Sequence, residues 1–443
     1  MENFFLVIAV ALCTSLQAQQ TSYKFDFGTK RTQKGYTAIT ADCKFDDKKG
    51  YGFTNGSTVK SVERNGNPLT GDYITSDKPF YFSVKLPEGN YDVKLVLGDA
   101  KGSSATTVRT ECRRLMLENI KTTNGKFATE TFTVHVKDSM IRDASGTVIS
   151  QVRLKPRESE YLHWDNMLTI EFNDSLPKVC VVEITPNKAA TTIFLAGNST
   201  VVDQSREPWA AWGQIIPRFF APGKASVANY AESGEALNSF MSARRLEKIL
   251  SVMKPGDYLF IEFGHNDMKQ KGEGIGPFTS YKKRLQQYIS EVRKKGGIPV
   301  LVTSMHRRRF DSTGNIVNTL EEYPDAVRLT GKEENVTVID LNAMSKVLYE
   351  AWGPTKSIKA FVHFPANTFP GQTTKLEDNT HFSTYGAYEL ARCIIKSIKD
   401  QNLPLAKLLR TDIPVFDPAK PLPFEQFYWP MSVFVTTTKP DGN

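Results

Sequence analysis

Short runs of alternating apolar and polar residues fill the first part of the chain. Clear examples are Tyr81–Leu86, Tyr91–Leu97, Thr131–Val136 and Val181–Ile184. An apolar residue at every second position is typical of a strand with one buried face. Turn-forming Gly, Asn and Pro residues separate these runs, and segments with helical periodicity are few. The pattern predicts an antiparallel β-sandwich, which we place at residues 19–187.

The pattern changes after a short polar linker, Asn187–Thr191. Continuous apolar runs then alternate with segments whose apolar residues recur every three or four positions, as on one face of a helix. Uninterrupted apolar strands are typical of parallel sheets covered on both faces. Residues 192–403 therefore predict a small doubly wound α/β domain. The expected strands are Thr192–Leu195, Val227–Tyr230, Tyr258–Phe263, Pro299–Ser304 and Val336–Leu341, and the expected helices are Tyr281–Lys294, Ala343–Trp352 and Ala387–Ile398.

The two ends of the chain differ in character. Residues 1–18 have an apolar stretch, Phe4–Leu12, and a small residue, Ala18, which are typical of a secretory signal peptide, although no Lys or Arg precedes the stretch. We therefore expect a secreted or periplasmic protein. No apolar run is long enough to span a bilayer. The tail, residues 404–443, contains the aromatic stretch FEQFYWPMSVFV, and we expect it to pack back onto the body, for instance as a strand against the first domain.

Composition narrows the classes of partner. The formal net charge of +8 favours anionic partners such as an acidic polysaccharide or nucleic acid. The basic residues are spread along the chain, and no zinc-finger spacing or nucleic-acid-binding signature is present, so we expect no nucleic acid. Four cysteines remain beyond the signal segment, with free buried thiols or one bridge as the expected states: Cys43, Cys112, Cys180 and Cys393. No Cys/His cluster indicates a metal, and the sequence leaves the oligomeric state open.

The first strand of the α/β region ends at a candidate nucleophile. Ser199 follows the apolar run that ends at Gly197, and ligands bind at the carboxyl ends of strands in open α/β sheets. On its own, the spacing around Ser199 favours the N-cap of a following helix. Asp378 and His381 lie three residues apart far downstream, where an acid and an imidazole can orient each other. A surface loop with an Asx turn is the alternative for that pair.

Four ordered blocks resemble the SGNH (GDSL-like) hydrolases, in particular the rhamnogalacturonan acetylesterase-like branch. The blocks are FLAGNSTV, PWAAWGQIIPRFF, FGHNDM and DNTHFSTYGAYELAR. The resemblance implies a flavodoxin-like doubly wound sheet and a triad of Ser199 as nucleophile, His381 as base and Asp378 as its orienting acid. It also implies an oxyanion hole made of the backbone N–H groups of Ser199 and Gly234 and the side-chain amide of Asn266, with no metal or cofactor.

The first domain has a resemblance of its own. The segments YKFDFGT and FYFSVKLPEGNYDVKLVLG look like the galactose-binding-like jelly rolls attached to many extracellular polysaccharide enzymes. We therefore expect an all-β jelly-roll sandwich that either orients the catalytic domain, contacts glycan or is purely structural.

The chain departs from the family pattern at two places. Asn198 replaces the Asp of the usual Gly-Asp-Ser, and Glu235 follows Gly234 where the related branch has an Arg. Arg307, in a basic run of three, is positioned to replace that Arg, with a solvated loop as the alternative. Trp209 is a candidate for stacking on a sugar or for core packing, and His363 is a candidate wall of the site. We therefore expect Arg307, Trp209, His363 and Asn198 to contact the substrate.

The function expected from the sequence is removal of acetyl groups from rhamnogalacturonan through an acyl-Ser199 intermediate. An acetylated plant polysaccharide is then the partner. Two alternatives stay open at this point. One is a xylan or small-acyl esterase of the same fold, and the other is a glycan-binding protein whose catalytic site has decayed through Asn198.

Overall fold

The computed structural model describes residues 22–29, 31–64 and 66–441. The predicted signal peptide at residues 1–18 lies outside the described residues. Fourteen strands form the first part of the chain: β1 Tyr23–Gly28, β2 Thr37–Thr40, β3 Tyr51–Thr54, β4 Lys60–Glu63, β5 Asp72–Thr75, β6 Phe80–Lys85, β7 Gly89–Asp99, β8 Ser104–Thr110, β9 Arg114–Thr122, β10 Lys126–Val136, β11 Met140–Arg142, β12 Val148–Gln151, β13 Met167–Asn173 and β14 Lys178–Pro186.

Two sheets pack face to face to form the sandwich. One has the order β10-β7-β14-β1-β2, with β5 also paired to β14 and β4 to β5, and the other has the order β3-β6-β13-β8-β9. The alternation read from the sequence places Tyr91, Val93, Leu95 and Leu97 of β7 in the core. The β1–β2 pair is parallel, so the expectation of a wholly antiparallel sandwich was wrong for this pair. The all-β fold class of the first domain is confirmed.

The second part of the chain is a parallel sheet covered by helices. Its strands are β15 Thr191–Gly197, β16 Ala225–Asn229, β17 Tyr258–Glu262, β18 Ile298–Val302 and β19 Thr337–Ile339, in the order β16-β15-β17-β18-β19. A hairpin of β20 Phe361–Phe364 and β21 Leu376–Phe382 follows. The helices are α1 Trp212–Ile215, α2 Leu237–Ser242, α3 Arg245–Val252, α4 Lys282–Lys294, α5 Tyr323–Glu333, α6 Leu341–Lys356 and α7 Thr384–Asp400. This strand order confirms the flavodoxin-like fold class.

The periodicity of apolar residues in the sequence did not predict all of the helices. No helix follows Ser199 directly: residues 198–202 form a turn, and the first α-helix of the described α/β part begins at Trp212. Four helices were missed, namely α1, α2, α3 and α5. The first three span only four, six and eight residues, which is too short for a clear 3.6-residue period. The prediction of a helix N-cap at Ser199 is therefore excluded as well.

Three arginines at one edge of the sandwich insert into the α/β domain. Arg113 Nη2 lies 2.6 Å from Glu207 Oε2, and Arg114 Nη2 lies 2.9 Å from Asp203 Oδ2. Arg113 also donates to the backbone carbonyls of Gln204 and Trp209, at 3.1 and 3.0 Å. Arg109 of β8 lies beside Glu207 as well. Since both domains contribute to these buried pairs, they fix the loop that follows Ser199.

The tail packs across both domains without forming a strand. We call residues 429–441 the tail segment. Arg109 stacks on Trp429, with the guanidinium 4.2 Å from the ring centroid. The backbone N–H of Glu207 donates to Phe434 O at 2.8 Å, and the N–H of Thr436 donates back to Glu207 O at 2.8 Å. The tail segment is therefore held by the same loop that the sandwich arginines fix.

Two further sequence expectations concern thiols and membranes. Cys43, Cys112, Cys180 and Cys393 are free, and all except Cys43 are buried. Among residues 22–29, 31–64 and 66–441, no helix combines the length and the apolar character needed to cross a bilayer.

The interdomain ion pairs give a stability prediction. Replacing Arg114 by Leu leaves the carboxylate of Asp203 buried and without its cation, so we expect the free energy of unfolding to fall by about 3–5 kcal/mol. Arg206→Leu removes a surface pair with Glu160, and we expect a loss below about 1 kcal/mol. Urea denaturation of both variants measures the difference. Equal small losses would contradict a structural role for the Arg114–Asp203 pair.

Candidate active site

Ser199 and His381 meet although they are far apart in the sequence. Ser199 lies in the turn after β15, and His381 lies near the end of β21. His381 Nε2 is 2.8 Å from Ser199 Oγ, and His381 Nδ1 is 2.8 Å from Asp378 Oδ2. The three residues are between 1% and 2% exposed. The structure thus brings together the three residues that the sequence proposed as a triad.

The local backbone fixes Asp378 in its ionised form. Its Oδ1 accepts hydrogen bonds from the backbone N–H groups of Thr380 and His381, at 2.7 and 2.9 Å. Burial by itself would raise the pKa of Asp378, but the hydrogen bonds from His381 and Thr380 outweigh it and hold that pKa below its ordinary value. An ionised Asp378 accepts a hydrogen bond from the N–H at His381 Nδ1, which leaves Nε2 as an acceptor for the hydroxyl of Ser199.

The turn that carries Ser199 is held from below by buried polar groups. Asn198 Oδ1 accepts from the backbone N–H of Thr200 at 3.0 Å. Thr200 Oγ1 lies 2.9 Å from both Asn198 Oδ1 and Glu262 Oε2. A hydroxyl donates only one hydrogen, so a proton on Glu262 satisfies the second contact. Burial raises the pKa of Glu262 to about 7, which is consistent with a protonated carboxyl beneath the turn.

Two other loops surround the serine. The side chain of Gln204 donates to Ser199 O at 2.9 Å and lies 3.5 Å from Ser233 Oγ, so Gly234 is next to the serine turn. Gly234 has φ +83°, a conformation that favours glycine. Asn266 Nδ2 donates to Glu235 O at 3.0 Å. Within the described part of the chain, the backbone N–H groups of Ser199 and Gly234 donate no hydrogen bond. These are the groups expected to form an oxyanion hole.

The loop that carries Asn266 is fixed by its neighbour. Asp267 accepts from the backbone N–H of Gly264 at 3.0 Å and from that of Leu237 at 2.9 Å. It therefore joins the loop after β17 to the start of α2, a holding role that the sequence suggested. His265 is 1% exposed, and burial lowers its pKa well below the ordinary value. A neutral His265 packs into the interior at this position.

Four residues were expected to contact substrate, and the structure corrects two of them. Asn198 is fully buried and orients the serine turn, because the short Asx side chain bonds its own backbone two residues on. Trp209 is 2% exposed and packs edge-on against His381, with 5.8 Å between ring centroids. Neither side chain has a face open to a sugar. Trp209 instead limits where the imidazole can sit.

The other two residues lie at the surface around the site. Arg307 is half-buried, and its Nη2 lies 3.5 Å from the carbonyl oxygen of His265, on the loop that carries Asn266. His363 Nε2 lies 2.9 Å from Asn379 Oδ1. It lines a cavity of about 280 Å³ together with Phe369 and Tyr385.

Sequence reasoning missed two charged residues near the triad. Glu262 ends an otherwise apolar strand, and a lone carboxylate at the end of a buried strand is a sequence signal for a polar contact there. Lys439 of the tail segment places its Nζ 3.4 Å from Asp378 Oδ2. No motif in the sequence links residue 439 to the triad, because the contact exists only through the path of the folded tail.

The fold and this arrangement define the class of GDSL-like hydrolases. Residues 195–386 match the model of the GDSL-like lipase/acylhydrolase family. Residues 23–143 match the model of the β-agarase/YXIM esterase-like, galactose-binding domain-like family. The two matches correspond to the α/β part and the β-rich part of the structure.

Curated relatives place the chain within this class. It is 46% identical over 220 residues to the rhamnogalacturonan acetylesterase RhgT of Bacillus subtilis (strain 168), covering 49% of this chain and 94% of that protein. It is 35% identical over 223 residues to the probable rhamnogalacturonan acetylesterase YesY of the same strain, covering 49% and 97%. The uncharacterized esterase YxiM of that strain is 26% identical over 400 residues, covering 87% and 93%. The chain belongs to the GDSL-like hydrolase family and is an esterase.

The protonated state of Glu262 gives a pH prediction. The pKa of Glu262 is about 7 in the fold against an ordinary value of 4.5. A raised carboxyl pKa stabilises the fold below the ordinary value, and that contribution is lost as the pH rises through 7. We expect the stability of the wild type relative to Glu262→Gln to fall by about 2–3 kcal/mol between pH 5 and pH 8.

Free energies of unfolding at the two pH values test this prediction. The surface variant Glu273→Gln serves as the control, and we expect the difference between it and the wild type to stay constant. A wild-type minus Glu262→Gln difference that does not change with pH would show that Glu262 is ionised throughout.

Proposed function

We propose that this protein is a serine carbohydrate esterase that removes acetyl groups from pectic polysaccharide, specifically rhamnogalacturonan. The observation that carries the proposal is the 2.8 Å contact between His381 Nε2 and Ser199 Oγ, with Asp378 behind the imidazole. The substrate class is supported by the relatives RhgT and YesY, which are named as a rhamnogalacturonan acetylesterase and a probable one. We assign the enzyme to the cell exterior or periplasm, because residues 1–18 have the pattern of a signal peptide.

The first half of the reaction forms an acetyl-enzyme. His381 Nε2 takes the proton of Ser199 as the serine oxygen attacks the carbonyl carbon of the acetyl ester. The carbonyl oxygen becomes an oxyanion, which accepts hydrogen bonds from the N–H groups of Ser199 and Gly234 and from the amide of Asn266. The tetrahedral intermediate collapses when His381 gives its proton to the sugar oxygen. The sugar hydroxyl leaves, and the acetyl group remains on Ser199.

The second half repeats these proton transfers with water. His381 takes a proton from a water molecule that attacks the acetyl carbonyl, and the same donors stabilise the second oxyanion. The proton then returns to Ser199 Oγ as acetic acid leaves, and the acid ionises to acetate in solvent. In both halves, Asp378 stabilises the transient imidazolium and keeps Nδ1 protonated. Its lowered pKa means that it stays ionised throughout the cycle.

Acetate release from a substrate panel tests the activity and the substrate class. We expect the purified protein to release acetate from acetylated rhamnogalacturonan faster than from acetylated xylan, and to hydrolyse 4-nitrophenyl acetate. In Ser199→Ala we expect turnover to fall by about a millionfold, as when the nucleophile of a triad is removed. Thr313→Ala, an exposed hydroxyl in a surface turn, is the matched control. Faster release from acetylated xylan would overturn the proposed substrate and leave the proposed mechanism in place. A wild type that binds glycan but hydrolyses none of these esters would show that the protein is a binding protein and not an enzyme.

The side chain of Asn266 provides a separate test of the oxyanion hole. Asn266→Ala removes one of the three proposed donors, and the loss of one such donor costs about 100- to 1,000-fold in kcat. We expect KM to change little, since the donor acts on charge that develops in the transition state. Asn402→Ala, at an exposed position after α7, controls for loss of an amide. A kcat for Asn266→Ala within twofold of wild type would remove Asn266 from the oxyanion hole.

A further inference from the structure

The tail segment follows the rim of the proposed catalytic site. Thr436 O accepts a hydrogen bond of 3.3 Å from the indole N–H of Trp209, the residue packed on His381. Three residues on, the Nζ of Lys439 is 3.4 Å from the carboxylate of Asp378. At Asp441 the segment reaches the loop of Gly234, where a Cβ added to that glycine would lie 2.9 Å from Asp441 Cβ. The segment thus passes the imidazole, the acid and the glycine loop in turn.

The sandwich domain holds the far end of this path. Arg157 Nη1 lies 2.5 Å from Asp441 Oδ2, and Arg157 Nη2 lies 2.6 Å from Glu232 Oε1. The backbone pairing with Glu207 holds the near end. Because the segment is anchored on both sides of Lys439, the position of that ammonium beside the triad is a feature of the fold.

Lys439 is one of three cations around the loop of Asn266. Lys269 Nζ lies 3.3 Å from Asn266 Oδ1, and Arg307 lies against the carbonyl of His265. In the part of the chain that the structure describes, no carboxylate lies within 4 Å of Lys269 or Arg307. Burial first, and then the positive charges of Arg307 and Lys439, lower the pKa of Lys269. Three like charges are therefore held close enough to repel one another.

Asp378 faces this cluster with a single carboxylate, which lies 3.4 Å from Lys439 Nζ and also acts on the charge of Arg307, so the three cations keep a net positive charge. Its two oxygens already accept the imidazole N–H and two backbone N–H groups, and its charge is matched to the imidazolium of the reaction. Lys439 keeps 48% of its side chain exposed, so its ammonium retains donors for a ligand. A carboxylate placed between these three cations would relieve their repulsion and gain charge-assisted hydrogen bonds.

We propose that Lys439, Lys269 and Arg307 form a subsite for the carboxylate of a uronic acid unit of the acetylated polysaccharide, with Lys439 as a specificity-determining residue. The inference rests on the proposed esterase function and names what in this chain selects an acidic polysaccharide. The tail segment, which lies outside the matched family region of residues 195–386, completes the substrate site of the α/β domain.

The test compares one acetylated rhamnogalacturonan oligosaccharide with its uronic carboxylates free or methyl-esterified. Acetate release gives kcat/KM for each form, and their ratio cancels any effect of a substitution on the triad. We expect the wild type to have a higher kcat/KM on the free acid than on the methyl ester. We expect Lys439→Gln to reduce the ratio of these two values about tenfold, since the attraction between two exposed charges in contact changes binding by a factor of that order. A Lys269→Gln/Lys439→Gln double variant should reduce it further. Lys420→Gln, an exposed lysine earlier in the tail, should keep the wild-type ratio.

The dependence of kcat/KM on ionic strength is a second measurement. It would not change in Lys439→Gln if Lys439 had only a structural role. We expect kcat/KM on the free acid to fall as sodium chloride rises, and to fall less steeply in Lys439→Gln. An unchanged ratio and salt slope in Lys439→Gln, with both substrates hydrolysed, would overturn the subsite. Failure of the wild type on both forms and on every acetylated glycan would instead overturn the proposed function.

Discussion

Two buried arginine–carboxylate pairs join the halves of this protein, and the geometry of the site depends on them. Arg113 and Arg114 leave the sandwich and end on Glu207 and Asp203, which flank the loop behind Ser199. A buried charge without its partner is costly, so these pairs tolerate little change in the relative position of the domains. The same loop carries Trp209 against His381 and pairs with the tail segment. The interdomain contact thereby positions Trp209, which packs against the imidazole of His381, and the tail segment at the rim of the site.

The polar groups at the site are almost completely removed from water. Ser199, Asp378 and His381 are each at most 2% exposed, and in such an environment hydrogen bonds to a developing charge count for more than they do in water. Burial also separates the roles of the carboxyls. Asp378 is held ionised by backbone and imidazole hydrogen bonds, whereas burial raises the pKa of Glu262 to about 7. One carboxylate is thus available to pair with an imidazolium, and a second, with a raised pKa, supports the serine turn.

The two domains have distinct parts in this arrangement. The parallel sheet brings the ends of β15, β16 and β17 to one edge, where Ser199, the Gly234 loop and the Asn266 loop meet. The sandwich supplies no triad residue, but it supplies the arginines that hold the loop after Ser199 and the Arg157 that binds Asp441. It therefore acts on the α/β domain through contacts at the site rather than as a detached module.

The sequence by itself determined the class of each domain and proposed the residues of the triad. Apolar periodicity reports burial on one or two faces, and that is enough to distinguish a sandwich from a doubly wound sheet. Short motifs single out Ser199, Asp378 and His381 as candidates because the proposed chemistry requires those residue types at particular strand ends. Only the tertiary structure decided that Asn198 and Trp209 are buried, that no helix follows Ser199, and that Lys439 lies at the triad. Those facts depend on contacts between residues that are distant in sequence, and neither periodicity nor local spacing encodes which distant side chains meet.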